Sequence, residues 1–152
     1  MKGSARINRI FALALAGLAS IAMPGAVSAE PLKITITDGN IEPLPFAAPT
    51  FIDEGGAGDI AQAMTQVIAA DLQGTGLFTQ IDPAAYISQV SSFDAPVSYA
   101  DWKAINAQAL IVGAVSNNGG NISVKFNLYD VFSDTALGEG LQFSGGQGDW
   151  RR

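Results

Sequence analysis

The sequence predicts an α/β domain, a mixed β-sheet with helices packed on it, and three stretches carry that expectation. Ala109 to Val115 is an unbroken apolar run, as a strand covered on both faces requires. Ile60, Met64, Val67, Ile68 and Leu72 recur at helical spacing and make one apolar stripe. Ile122, Val124, Phe126 and Leu128 alternate with Ser123, Lys125 and Asn127 just after Asn117-Asn118-Gly119-Gly120, the pattern of a hairpin strand.

From the N-terminal side, Leu32, Ile34 and Ile36 alternate with Lys33, Thr35 and Thr37, the period of a half-buried strand, and Asp38-Gly39-Asn40 ends it as a turn. Ile41 to Ile52 carries Pro43, Pro45 and Pro49, so a strand there, placed at Phe46 to Phe51, is expected at an edge or irregular. The loop Gly55-Gly56-Ala57-Gly58 leads into the helix; Asp59 reads as its N-cap with Gln62 three positions on, and Gly74 and Gly76 stop it. Leu77, Phe78 and Ile81 suggest a short strand ended by Asp82-Pro83, Ala84 to Val90 one or two helical turns, and Ser91 to Ser98 a loop.

Tyr99 to Asn106 reads as a short helix, with Trp102 as a core anchor and Asn106 suited to the left-handed C-terminal conformation. Ala109 to Val115 is expected at the centre of the sheet. After Leu128 the apolar set shifts to Tyr129 and Val131, which predicts a bulge or a strand end. Ser133 to Ala136 turns the chain and Leu137 to Phe143 returns as a weaker strand. Gly145 to Gly148 reads as a linker, and Asp149-Trp150-Arg151-Arg152 as an N-cap with the first turn of a helix.

Residues 1–29 read as an export signal. Lys2, Arg6 and Arg9 form a basic start, Ile10 to Met23 is apolar, and Val27-Ser28-Ala29 supplies the small residues of a cleavage site. Processing would leave residues 30–152 as one domain, with Glu30 first and no lipid anchor, outside the cytoplasm. That part keeps five bases against fourteen acids, a net charge of −9. Such a balance repels phosphate backbones and anionic lipid, so neither nucleic acid nor direct membrane insertion is expected.

The chain has no histidine and no cysteine, which excludes Ser-His-Asp and Cys-His catalysis and the usual zinc sites. Lys33, Lys103 and Lys125 are read as pointing to solvent. The acids Asp53, Glu54, Asp59, Asp82, Asp94, Asp101, Asp134 and Asp149 stand beside Gly, Pro or Ser, where turn and capping roles are the default.

Several segments together resemble the TolB N-terminal domain family. They are the Leu32 to Ile36 strand, Pro45-Phe46, Asp71-Leu72-Gln73-Gly74-Thr75-Gly76-Leu77-Phe78, Trp102 with Ala109-Leu110-Ile111-Val112-Gly113, Val124 to Val131, and Trp150-Arg151-Arg152. The resemblance implies a fold similar to the anticodon-binding domain of class II tRNA synthetases. It implies a periplasmic, non-enzymatic adaptor of the Tol-Pal envelope system, which supports outer-membrane integrity and cell division, and it implies no cofactor and no metal. It further implies that the segment exposed by signal cleavage binds the C-terminal domain of TolA; on this chain that is Glu30, Pro31, Leu32, Lys33, Ile34, Thr35, Ile36, Thr37, Asp38, Gly39, Asn40 and Ile41. The family's Pal-binding β-propeller, and the helix leading to it, lie beyond the 152 residues.

The residues agree with a partner-binding segment, since a terminal strand held along one edge is free to leave its sheet and add to another. Leu32, Ile34 and Ile36 would then fill alternate pockets. Two other readings stay open: a periplasmic small-ligand binding domain using the Gly55 to Gly58 loop, and a hydrolase built on paired carboxylates.

Overall fold

The computed structural model describes residues 36–37 and 40–151, so the export segment and most of the candidate partner segment lie outside the described residues. Strands β1 (Ile36–Thr37) and β2 (Asn40–Ile41) pair antiparallel in a sheet of their own. The remaining strands, β3 (Leu44–Ala47), β4 (Ile52–Asp53), β5 (Phe78–Gln80), β6 (Ala109–Asn118), β7 (Asn121–Asp130), β8 (Thr135–Ala136) and β9 (Leu141–Gly146), form a seven-stranded mixed sheet. β5, β3 and β6 run parallel, β7 is antiparallel to β6, and β8 and β9 both pair with β7.

The apolar run sits at the centre, as its composition requires. Every residue from Ala109 to Val115 is buried, because helix α1 (Gly58–Gly74) covers one face of the sheet while helix α2 (Tyr99–Ala104) and the 81–98 segment cover the other. Leu44, Phe46, Ala109, Ile111 and Val115 meet Ala61, Met64 and Ala69 of α1; Ala47, Leu110, Val112 and Val131 meet Trp102, which is 1% exposed. At Gly113 the ring of Phe51 occupies the space that a Cβ would take.

Several elements depart from the sequence pattern. The proline-rich strand is Leu44–Ala47, not Phe46 to Phe51, and it is internal, between β5 and β6. Pro45 is tolerated there because its carbonyl accepts from Gln108 N–H at 2.9 Å, on the β6 side and one position before that ladder begins at Ala109. The proline nitrogen faces the same way, so no ladder bond is lost. From Ala47↔Leu110 to Ile52↔Ala114 the β3–β4 strand advances five residues against four, a bulge that carries Pro49 and Thr50. Two of the amides it frees are taken up by side chains, Ala48 N–H by the Tyr86 hydroxyl at 3.0 Å and Phe51 N–H by Thr65 Oγ1 at 2.9 Å.

Helix α1 begins with Gly58 inside it and Ala57 as N-cap, so Asp59 lies in the first turn and the expected capping box with Gln62 is not made. Val67 is 43% exposed, on the helix flank rather than in the core. Ala84 to Val90 holds a single 3₁₀ turn, Pro83–Ala85, which starts where Asp82 accepts from Ala84 N–H at 2.9 Å. Asn106 has φ of 60°, as expected of the residue ending α2. No bulge follows Leu128: β7 keeps register with β6 to Asp130, and Tyr129 and Val131 are apolar because the α2 layer covers that end of the opposite face. The returning strand is divided, β8 and β9 being separated by a crossing that holds Gly138 and Gly140 at positive φ.

Candidate functional site

Of the twelve residues proposed to bind a partner, Ile36, Thr37, Asn40 and Ile41 are described; Glu30 to Thr35, Asp38 and Gly39 are not. The described four form a ladder of two pairs, Ile36↔Ile41 and Thr37↔Asn40, and among the described residues this ladder shares no pairing with the main sheet. Glu42 and Pro43, both exposed, connect it to β3. Leu44 N–H then bonds to the Leu77 carbonyl at 2.8 Å, and from there the chain is committed to the core. The hairpin is thus attached through a solvated joint, while the buried strand begins after it.

The glycine loop is closed from within. Asp53 Oδ1 accepts from Gly55 N–H at 2.9 Å and from Ala57 N–H at 2.8 Å. These bonds hold the Asp53 carboxyl below its ordinary value, the Ala57 bond most strongly. The donors that a bound anion would need are therefore occupied by the protein's own carboxylate, which also places a negative charge at the mouth of the helix. This geometry disfavours the loop as a ligand site.

Other carboxylates have turn roles as well. Buried Asp130 accepts from Phe132 N–H at 2.9 Å and from Ser133 N–H at 3.2 Å, and Asp134 pairs with Lys103 at 2.8 Å. Lys125, read as pointing to solvent, is instead half-buried: it pairs with Glu54 at 2.9 Å and lies 4.4 Å from the centre of the Phe93 ring. The 81–98 segment covers that face of the sheet and encloses the lysine stem. Among the described residues no group of His, Cys, Asp or Glu is placed to hold a metal.

One of the concave features missed in the sequence lies beside α1. It is an open crevice of about 680 Å³ between α1, the β3–β4 bulge and the segment after β5, lined among others by Gln62, Gln66, Gln73, Gln80 and Gln89. The recurrence of Gln62, Gln66 and Gln73 along one flank of α1 was its signal, hidden because glutamines on a helix ordinarily read as a solvated face.

Comparisons with known proteins place this architecture. The model of the TolB amino-terminal domain matches residues 32–137. The Tol-Pal system protein TolB of Cereibacter sphaeroides is 60% identical over 141 residues, covering 92% of this chain and 32% of that one. The chain spans about a third of the length of the curated relatives it matches. In fold, it is similar to TolB from Acinetobacter baumannii (TM-score 0.55, 17% identity, 71% of this chain and 24% of that). It is also similar to the C-terminal domain of LpoB from Salmonella enterica (TM-score 0.54, 15% identity, 72% and 87%). With the family model spanning β1 to β8 and a relative at 60% identity across nearly the whole sequence, this chain belongs to the TolB amino-terminal domain family.

Proposed function

We propose that this chain is a non-enzymatic, periplasmic adaptor domain of the Tol-Pal system that binds the C-terminal domain of TolA through Glu30 to Ile41, in support of outer-membrane integrity and cell division. The observation that carries the reading is the family match over residues 32–137, which begins inside that segment. The attachment of β1 supports it: among the described residues its pairing is a two-pair ladder of its own, joined through exposed Glu42 and Pro43, so it separates without unpairing any described part of the main sheet. Pal is reached through the β-propeller of the whole family protein. The basic and apolar start of the chain, with its small-residue cleavage site, supports export, and among the described residues no helix is long and apolar enough to cross a membrane. The occupation of Asp53, Asp82 and Asp130 by backbone donors supports a role without catalysis.

Calorimetry with a TolA C-terminal domain tests this. Deleting Glu30 to Ile41 is expected to abolish binding while circular dichroism keeps the folded signature, because none of the segment's described pairing is with the main sheet. Ile34→Asn should weaken binding by about 2 kcal/mol if one pocket-filling side chain is lost. Lys33→Ala should chiefly change the association rate and salt dependence. Full affinity in the folded deletion variant would move the binding site elsewhere.

A further inference from the structure

The crevice beside α1 stands where an open α/β sheet is built to receive a ligand. From β3 the chain goes through the bulge and β4 to α1 on one face; from the neighbouring strand β5 it goes into the 81–98 segment and α2 on the opposite face. Two parallel neighbours that send the chain to opposite faces leave a gap at their carboxyl ends. Residues on both sides of that gap line the crevice: Ala48, Pro49 and Thr50 follow β3, and Pro83, Tyr86 and Ser88 follow β5.

We propose that this crevice is a binding site for an uncharged peptide segment in extended conformation. Its lining excludes the charged alternatives, since no Asp, Glu, Lys or Arg contributes to it on a strongly acidic chain. Its polar groups are mainly carboxamides, each offering a donor and an acceptor in the geometry of a peptide bond. The side-chain amides of Gln62, Gln66 and Gln89 make no hydrogen bond within the described residues, which leaves them for a ligand.

The backbone contributes too. β5 ends at Gln80, so the bulge beyond it has no strand on that side, and among the described residues the Thr50 N–H has no partner. With the Ala48 and Phe51 N–H groups already bound by Tyr86 and Thr65, this single free donor beside the amide side chains suits one main-chain contact. A sugar fits less well, because the one lining aromatic, Tyr86, offers no free stacking role: its hydroxyl is held by Ala48 N–H and its ring stands edge-on to Trp102 at 5.3 Å. From Gln62 to Gln73 the helix flank runs about 17 Å. That length matches roughly five residues of extended chain. None of the described residues of the N-terminal segment proposed to bind TolA lines this site, so the two proposals are tested independently.

Amide chemical shifts of the isotope-labelled 152-residue protein, recorded by NMR during titration, test the assignment. The probes are a hexapeptide of alternating serine and valine, blocked at both ends, and chitotriose as a neutral glycan. The peptide is expected to give saturable shifts at Thr50 and at the side-chain amides of Gln62, Gln66 and Gln89. Gln66→Ala should weaken it about fivefold, the loss of one hydrogen bond. Ala70→Arg, which places a long side chain in the crevice, should abolish it. Gln66 and Ala70 are both exposed on α1, so these variants keep the helix, which circular dichroism verifies. The proposal is overturned by the absence of saturable shifts, by shifts confined to other surfaces, by unchanged binding in Ala70→Arg, or by a tighter response to chitotriose than to the peptide.

Discussion

Thr65 and Gly113 bear more of the fold than their size suggests, and both act through Phe51. The Thr65 hydroxyl accepts the Phe51 N–H and donates to the Ala61 carbonyl, each at 2.9 Å, so it joins the bulged strand to the interior of α1. Thr65→Val keeps the shape but orphans a buried N–H, which costs about 1–3 kcal/mol. Urea unfolding should show that loss with an unchanged denaturant slope. At Gly113 an added Cβ would stand 2.5 Å from the Phe51 ring, in a strand that has no room to move. Gly113→Ala should therefore cost about 1–3 kcal/mol by overpacking. Combining it with Phe51→Leu should cost less than the two single changes summed, because the smaller side chain relieves the clash; strict additivity would place the strain elsewhere.

At the level of elements, what was legible in the sequence were the features set by local periodicity. The buried run of β6 and the Gly119-Gly120 hairpin match the sequence, and the α1 stripe matches except at Val67, because each depends on neighbours within a few residues. The misreadings came from long-range pairing. The prolines of 41–52 suggested an edge or irregular strand; the bulge at Pro49 makes it irregular, and the stagger between β3 and β6 explains why an internal strand accepts Pro45. Tyr129 and Val131 suggested a bulge or a strand end; β7 ends at Asp130 without a bulge, and cover of the two faces by different layers accounts for the change in pattern. Asp53 has the turn role its place before the glycines predicts, accepting from Gly55 and Ala57 N–H, and that role closes the loop. Of the candidate partner segment, the alternation predicts a strand without naming its partner, and the four described residues pair only with one another. The crevice was illegible for a similar reason: its walls come from three parts of the chain, none of them unusual alone.

For the molecule as a whole, the described residues cover the two faces of the sheet unequally. α1 spans only part of its face, and beside it Leu44, Phe46, Phe78, Ile111, Phe126, Leu128, Ile68 and Leu72 line an apolar groove of about 500 Å³. A second hollow continues it past Phe126 and Ile68 to Val67, Val124 and Trp150. Trp150 is already packed against the core from this side, with the Arg151 guanidinium 4.5 Å from the centre of its ring. Trp150 and Arg151 thus stand at one end of this continuous hollow. We expect that joining to Arg152 about 20 further residues from a relative, chosen for an amphipathic pattern, will form a helix along this groove, although such a peptide alone is marginal in water. Each 100 Å² of apolar surface it covers contributes about 2.5 kcal/mol, an upper value because the unfolded chain already hides part of that surface. The urea midpoint of the extended protein should rise accordingly. The gain should shrink when Leu72→Asp is introduced into both the parent and the extended chain, since the charge spoils the groove for the helix more than for the parent. An equal midpoint with and without the extension would mean that the groove is complete as it stands, and an undiminished gain in Leu72→Asp would place the added helix on another surface.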